Sequence, residues 1–295
     1  MTDHTERVVT VASVAEALSH LTTRRGRARI VAGLAGLAGG LDLPDEAYLV
    51  DVSEVAALRR VEISDDGLLL GGALLLSTLI KHPEVQAAAP LLAVAGWHHE
   101  EKGRGAETLA ARVVSARGGD PINLALVGLG AQAEITNLTG AQWLPVSSLH
   151  VRQGISRVDS SSEILTRVRV PVTQGVHGGG IGVASAANGA DVYGLAIAVR
   201  LDESGERFAQ VMIAHGADWM TPTSLPDLAS ELVGIALDDK ERLRGFVVKL
   251  VELELAGAGS GAPDGINESA FREACHAALK GAARAAHRRL ASQEH

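Results

Sequence analysis

Apolar and polar positions change period several times along this chain, and each change marks an element. Val14, Ala17, Leu18 and Leu21 recur at helical spacing behind Ser13-Val14-Ala15-Glu16, a capping box, which predicts a short helix over 14–22. Residues 29–32 read as a strand that runs into a turn of small residues, Ala32-Gly33-Leu34-Ala35-Gly36-Leu37. Tyr48-Leu49-Val50-Asp51-Val52 reads as a second strand, followed by a short Ser-capped turn or helix over 53–58. The apolar runs at 61–64 and 68–73 flank Asp65-Asp66-Gly67, and an Asp-Gly pair there predicts a hairpin.

Short helices are expected over 77–81 and 90–97. A second small-residue turn follows, Thr108-Leu109-Ala110-Ala111-Arg112, leading to Ala116-Arg117-Gly118-Gly119-Asp120. The run 122–129 reads as an apolar helix stopped by Gly130. Strands are predicted over 133–138, 143–146, 163–172, 194–201 and 208–214, and helices over 225–234, 240–256 and 269–290. Residues 257–265, rich in Gly, Ala and Ser, read as a flexible connection between the last two helices. Six glycines fall between 173 and 189, so an interdomain turn and a domain boundary near residue 173 are expected.

Composition narrows the classes. The chain has 295 residues, 46% of them hydrophobic, enough for two or three domains. A net charge of -8 argues against nucleic-acid binding, which needs clustered Lys and Arg. The single cysteine, Cys275, excludes an internal disulfide framework and any Cys-ligated iron–sulfur cluster built by this chain alone. The charged start MTDHTERVV has no apolar stretch, and no apolar run of about 20 residues occurs. A cytoplasmic protein without a membrane span is therefore expected.

A strand entering a small-residue turn exposes backbone N–H groups that receive anions. Two such turns, a subdomain apart, have the character needed to grip both ends of a pyrophosphate. Other constellations carry less. His98-His99-Glu100-Glu101 places neighbouring side chains in different directions, so it reads as a polar helix end and no metal site is expected. His177-Gly178-Gly179-Gly180 is similar to a lipase oxyanion loop, but no Gly-x-Ser-x-Gly pentapeptide accompanies it. Gly180-Ile181-Gly182 with Asp202 is an incomplete dinucleotide fingerprint. His215, Trp219 and Cys275 read as packed or rim side chains.

Further stations lie between these turns and beyond them: Leu49-Val50-Asp51-Val52, Gly72-Ala73, Leu129-Gly130-Ala131, Val168-Arg169-Val170-Pro171, Ile213-Ala214-His215-Gly216, Thr221-Pro222 and Glu231-Leu232-Val233-Gly234. No single station is specific, but their order and spacing are. Across residues 8–290 the chain resembles the FAD-binding medium subunit of molybdenum hydroxylases, the group containing carbon monoxide dehydrogenase and xanthine dehydrogenase.

The resemblance implies an α+β architecture: a two-subdomain FAD-binding (PCMH-type) fold at 1–173 and a smaller α+β C-terminal domain at 174–295. It implies FAD held by Ala32, Gly33, Leu34, Ala35, Gly36 and Leu37 in the first turn. In the second turn it implies Arg104, Thr108, Leu109, Ala110 and Ala111, with Asp120 on the ribose or adenine side. It implies an electron-transfer role beside an iron–sulfur small subunit and a molybdopterin-binding large subunit, with no catalytic side chain in this chain. Tyr193 is the tyrosine best placed along the sequence to approach a flavin. The chain departs from the family pattern at Leu34, Gly105, Glu107, Ala110, Ala111 and Arg112. Those departures leave open a cofactor-free scaffold with the same fold, and behind it a stand-alone flavin oxidoreductase.

Overall fold

The computed structural model describes residues 7–24, 26–32, 47–171, 178–185, 191–258 and 268–293. At its N-terminal end, β1 (Val8–Thr10), β2 (Ala28–Val31) and β3 (Tyr48–Asp51) form a parallel sheet in the order β1-β3-β2. Helix α1 (Val14–Thr23) covers it, burying Ala17, Leu18 and Leu21 against Val50, Val52 and Leu58. The predicted cap forms: Ser13 Oγ accepts from the Glu16 amide at 3.1 Å, while Glu16 Oε2 accepts from the Ala12 amide at 2.9 Å.

A second, antiparallel sheet has the order β4-β5-β10-β6-β7. Its strands are β4 (Val61–Ser64), β5 (Gly67–Gly71), β6 (Gln132–Asn137), β7 (Gly140–Pro145) and β10 (Ile164–Val170). Gly67 sits at φ +140°, a conformation that favours glycine, and closes the expected β4–β5 hairpin by pairing with Ser64. Between β5 and β6 run α2 (Leu76–Leu79), α3 (Pro83–Ala88), α4 (Pro90–Glu101), α5 (Leu109–Val114) and α6 (Pro121–Gly128). Their apolar faces build the largest core with Leu68, Leu70, Ala133 and Val168 of the sheet. A small hairpin, β8 (His150–Arg152) and β9 (Ile155–Ser156), precedes β10.

The C-terminal sheet is an antiparallel meander of β11 (Gly178–Ser185), β12 (Asp191–Leu201), β13 (Phe208–Ala217) and β14 (Met220–Ser224). After it come α7 (Pro226–Ser230), α8 (Lys240–Ala258) and α9 (Glu268–Gln293). Tyr193, Phe208, Phe271, Val247 and Leu250 fill the core between sheet and helices. Cys275 is buried there, and burial, then the Glu254 carboxylate, pushes its thiol up to about 12. His215, also buried, meets Glu254 Oε1 through Nδ1 at 2.6 Å. It is a satisfied core histidine, as its place on a strand end predicted.

The glycine-rich segment is the main correction. Part of the expected interdomain turn, including Gly178-Gly179-Gly180, is strand β11. A Cβ at Gly178, Gly180 or Gly182 would stand 2.4, 2.0 or 1.9 Å from a backbone oxygen of α9, at Ala282, Ala278 and Ala274. A Cβ at Gly179, on the opposite face, would stand 2.4 Å from Leu91 Cα of α4. These glycines exist so that helices can lie directly on the strand, not so that the chain can bend. Two smaller corrections follow. The helix expected over 225–234 spans only Pro226–Ser230, and β1, β8, β9 and β14 were not expected at all. Most of the 257–265 connection lies outside the described residues. No helix among the described residues is long and apolar enough to cross a membrane.

Candidate functional site

A cavity of about 320 Å³ lies between the parallel sheet and the antiparallel one. Ile30, Val31 and Ala32 line it from the end of β2, and Thr108, Ala110, Ala111 and Arg112 line it from the second turn. Ala32, the first residue of the first turn, and the second turn thus meet at one space, although 76 positions separate Ala32 from Thr108. Ile30 ties β2 to the turn that precedes β10, its amide donating to the Ser160 carbonyl at 3.0 Å. Ser160 and Glu163 line the same side.

The expected site residues fall into different places. Ala32, Thr108, Ala110 and Ala111 line the cavity. Leu109 is fully buried in the core, and Arg104 is exposed away from the cavity wall. Asp120 sits behind the wall. Gly33, Leu34, Ala35, Gly36 and Leu37 lie outside the described residues. Tyr193 is not at the cavity either: it is fully buried in the C-terminal core, edge-on to Phe271 at 4.9 Å between ring centroids.

The second turn spends its amides internally. Leu109 N–H donates to Leu74 O at 2.9 Å and Ala110 N–H to Gly72 O at 2.9 Å. Ala111 N–H donates to Thr108 Oγ1 at 3.3 Å, and Arg112 N–H to Thr108 O at 3.1 Å. Gly72 makes this packing possible, since a Cβ there would stand 2.3 Å from Leu165 O and 3.3 Å from Ala110 Cβ.

Glu107 and Arg112, both departures from the family pattern, compensate each other. Arg112 Nη1 donates to Glu107 Oε2 at 2.9 Å. Its Nε donates to Asp120 Oδ2 at 3.0 Å, and Nη2 donates to the same oxygen. The other carboxylate oxygen of Asp120 accepts from the amides of Ile122 at 3.0 Å and Asn123 at 3.3 Å, capping α6. His99 Nε2 lies 3.3 Å from Asp120 Oδ2. Burial alone raises a carboxyl's pKa, but here Arg112 and then His99 outweigh it and hold Asp120 well below the usual carboxylate range. Arg112 stays charged for the matching reason: burial opposes its charge, and Asp120 and Glu107 restore it.

The Gly118-Gly119 pair serves packing. A Cβ at Gly118 would stand 1.9 Å from Met220 O, and one at Gly119 would stand 3.2 Å from Tyr193 N. This bend, with Ala116 at φ 48°, seats the second turn against the C-terminal sheet. Asp191 makes a further tie, taking His98 Nε2 at 2.8 Å, Lys102, and Ser185 Oγ at 2.8 Å. The polar end of α4 is therefore an anchor, and among the described residues no group of His, Cys, Asp and Glu could hold a metal.

The cavity has the size and mixed wall of a small-molecule site, apolar along Ile30, Val31, Ala73 and Leu165 and charged at Arg112 and Arg117. That wall, which includes Ala110 and Ala111, fits a flavin lying between the sheets. Arg117 and Ser160 were not anticipated. The one signal for Arg117 was a cation placed just before the Gly118-Gly119 bend.

Solved structures share this fold. A Cu,Mo-CO dehydrogenase in its cyanide-inactivated form shares the fold with a TM-score of 0.76, at 20% identity over 96% of this chain and 97% of that one. A quinoline 2-oxidoreductase from Pseudomonas putida 86 does so with a TM-score of 0.76, at 19% identity over 98% of each chain. A reconstituted CO dehydrogenase from Oligotropha carboxidovorans gives a TM-score of 0.74, at 21% identity over 96% of this chain and 97% of that one. No curated protein sequence matches the chain. Residues 4–173 match the family model described as the FAD binding domain in molybdopterin dehydrogenase. With more than half its length matched and the cavity in place, this chain belongs to that FAD-binding family.

Proposed function

We propose that this chain is the FAD-binding electron-transfer subunit of a molybdenum-hydroxylase-type oxidoreductase, passing electrons from partner iron–sulfur clusters to an external acceptor. The cavity shared by Ala32 and the 108–112 turn carries the proposal, because it brings the start of one turn that the resemblance implies for FAD to the other. In this reading residues 1–173 form the FAD-binding domain and 174–295 the C-terminal domain.

Bound flavin supplies the electron-carrying chemistry. The chain's own residues bind and orient it. Ile30, Val31 and Leu165 offer apolar contact and exclude water, while the Ile30–Ser160 hydrogen bond ties β2 to the turn that precedes β10. No side chain at the cavity needs to act as acid, base or nucleophile. With a single cysteine, the chain leaves the iron–sulfur clusters to a partner, and the molybdopterin to another. A cytoplasmic location is part of the same proposal. The cofactor-free scaffold is the weaker reading, since Ala110 and Ala111 leave the space open instead of plugging it.

Purification of the complex from its source tests the proposal. The expected result is one flavin per chain, reduced when substrate is added to the whole complex, together with an iron–sulfur chain and a molybdopterin chain. A chain isolated alone, or a flavin that stays oxidised under substrate, overturns it.

A further inference from the structure

We propose that Arg117 is the residue through which this chain binds the phosphate groups of its flavin. The inference rests on the flavin reading above and names a contact within it. An anion in the cavity needs donors, and among the described residues those expected from the second turn are committed elsewhere. The amides of Leu109, Ala110, Ala111 and Arg112 all have internal acceptors. Arg112 gives Nε, Nη1 and Nη2 to Asp120 and Glu107. Its charge is thereby offset before any ligand arrives.

Arg117 differs on each count. It lines the cavity, and its side chain is exposed there. It makes no ion pair and no side-chain hydrogen bond among the described residues. Asp218, the carboxylate that acts on it through space, is itself engaged by Gln153 Nε2 at 2.8 Å. The backbone that carries Arg117 is fixed. Its carbonyl accepts from Asn123 Nδ2 at 3.2 Å and from the Asp120 amide at 3.3 Å, and Gly118 beside it is locked against β13 and β14. A guanidinium on a fixed backbone, with its donors uncommitted, matches phosphate geometry. The lining carries the carboxylates of Glu107 and Glu163 against the guanidiniums of Arg112 and Arg117, so removing Arg117 leaves the cavity net negative towards a diphosphate.

The test compares FAD with riboflavin, which has the same ring system and no phosphate. Both are titrated into the full chain stripped of flavin and into Arg117→Gln and Arg117→Lys variants, at low and high salt. Loss of one charge-assisted contact at an exposed site weakens FAD binding by about tenfold in Arg117→Gln. Riboflavin affinity stays unchanged, Arg117→Lys recovers part of the loss, and the salt dependence of FAD binding shrinks in Arg117→Gln. Unchanged FAD affinity in Arg117→Gln, or equal losses for both ligands, overturns the assignment of Arg117 while leaving the flavin reading intact. A wild-type chain that takes neither ligand overturns both.

Discussion

Glu107 accepts a hydrogen bond from Arg112 at 2.9 Å across the start of α5, and the two are the charged departures that set this chain apart from its family pattern. Alone, a carboxylate at that turn repels a cofactor's phosphates. Paired, it becomes one end of a buried chain of charges, Glu107–Arg112–Asp120, that ties the second turn to the N-terminus of α6.

This places a large share of local stability on Arg112. Replacing it with Met leaves two carboxylates without their cation, and Asp120 is almost wholly buried. Breaking a buried pair from one side costs about 3–5 kcal/mol. Denaturant unfolding of Arg112→Met measures this, with partial recovery expected in Arg112→Met combined with Asp120→Asn. A loss below about 1 kcal/mol contradicts the role given to the network.

The same network sets an acid limit. Asp120 is held below the ordinary carboxylate range when folded. A depressed folded pKa contributes stability that is complete above the unfolded value of about 3.9 and is lost as pH falls from there towards the folded value. Asp191, Glu134 and Asp159 shift in the same direction, so wild-type acid unfolding sums several groups. The difference between wild type and Asp120→Asn isolates one. Unfolding free energies measured from pH 7 down to about pH 2 fall more steeply for wild type than for Asp120→Asn below the unfolded value. Parallel profiles count against the network.

Glycines at β11 and in α8 make opposite predictions. Gly180→Ala places a Cβ 2.0 Å from Ala278 O, so strand and helix must separate, with a cost of at least about 3 kcal/mol. Gly245, exposed in α8 with nothing near its would-be Cβ, gains about 0.5–1 kcal/mol as Ala. Thermal unfolding of the two variants reads both signs. Equal effects at the two positions contradict the close-packed account of β11.

Local signals were legible wherever the sequence stated its own partner. Ser13 with Glu16, and Asp66-Gly67 between apolar runs, each form what their spacing predicts. The long helices α8 and α9 also follow from their patterns. Strand β11 was illegible for a physical reason. Glycine reads as flexibility when nothing local explains it, and the explanation here is an Ala stripe on α9, about 100 residues later in the chain. The order of stations revealed the family and the place of the second turn. It did not reveal that the turn's amides point at Gly72 and Leu74, because an acceptor across a sheet leaves no mark in the donor's own segment. Asp120, which the resemblance put on the ribose or adenine side of the cofactor, instead accepts from the Ile122 and Asn123 amides and caps α6, a partner its own segment did not announce.

The most direct test of the central claim is a titration of the flavin-stripped chain with FAD, followed by flavin fluorescence, in wild type and in Ala111→Trp. Ala111 lines the cavity from α5, so an indole there occupies the space. One equivalent of FAD bound by wild type, and none by a folded Ala111→Trp, is the predicted result. Absence of binding in wild type, or undiminished binding in Ala111→Trp, contradicts the assignment of this cavity to the flavin.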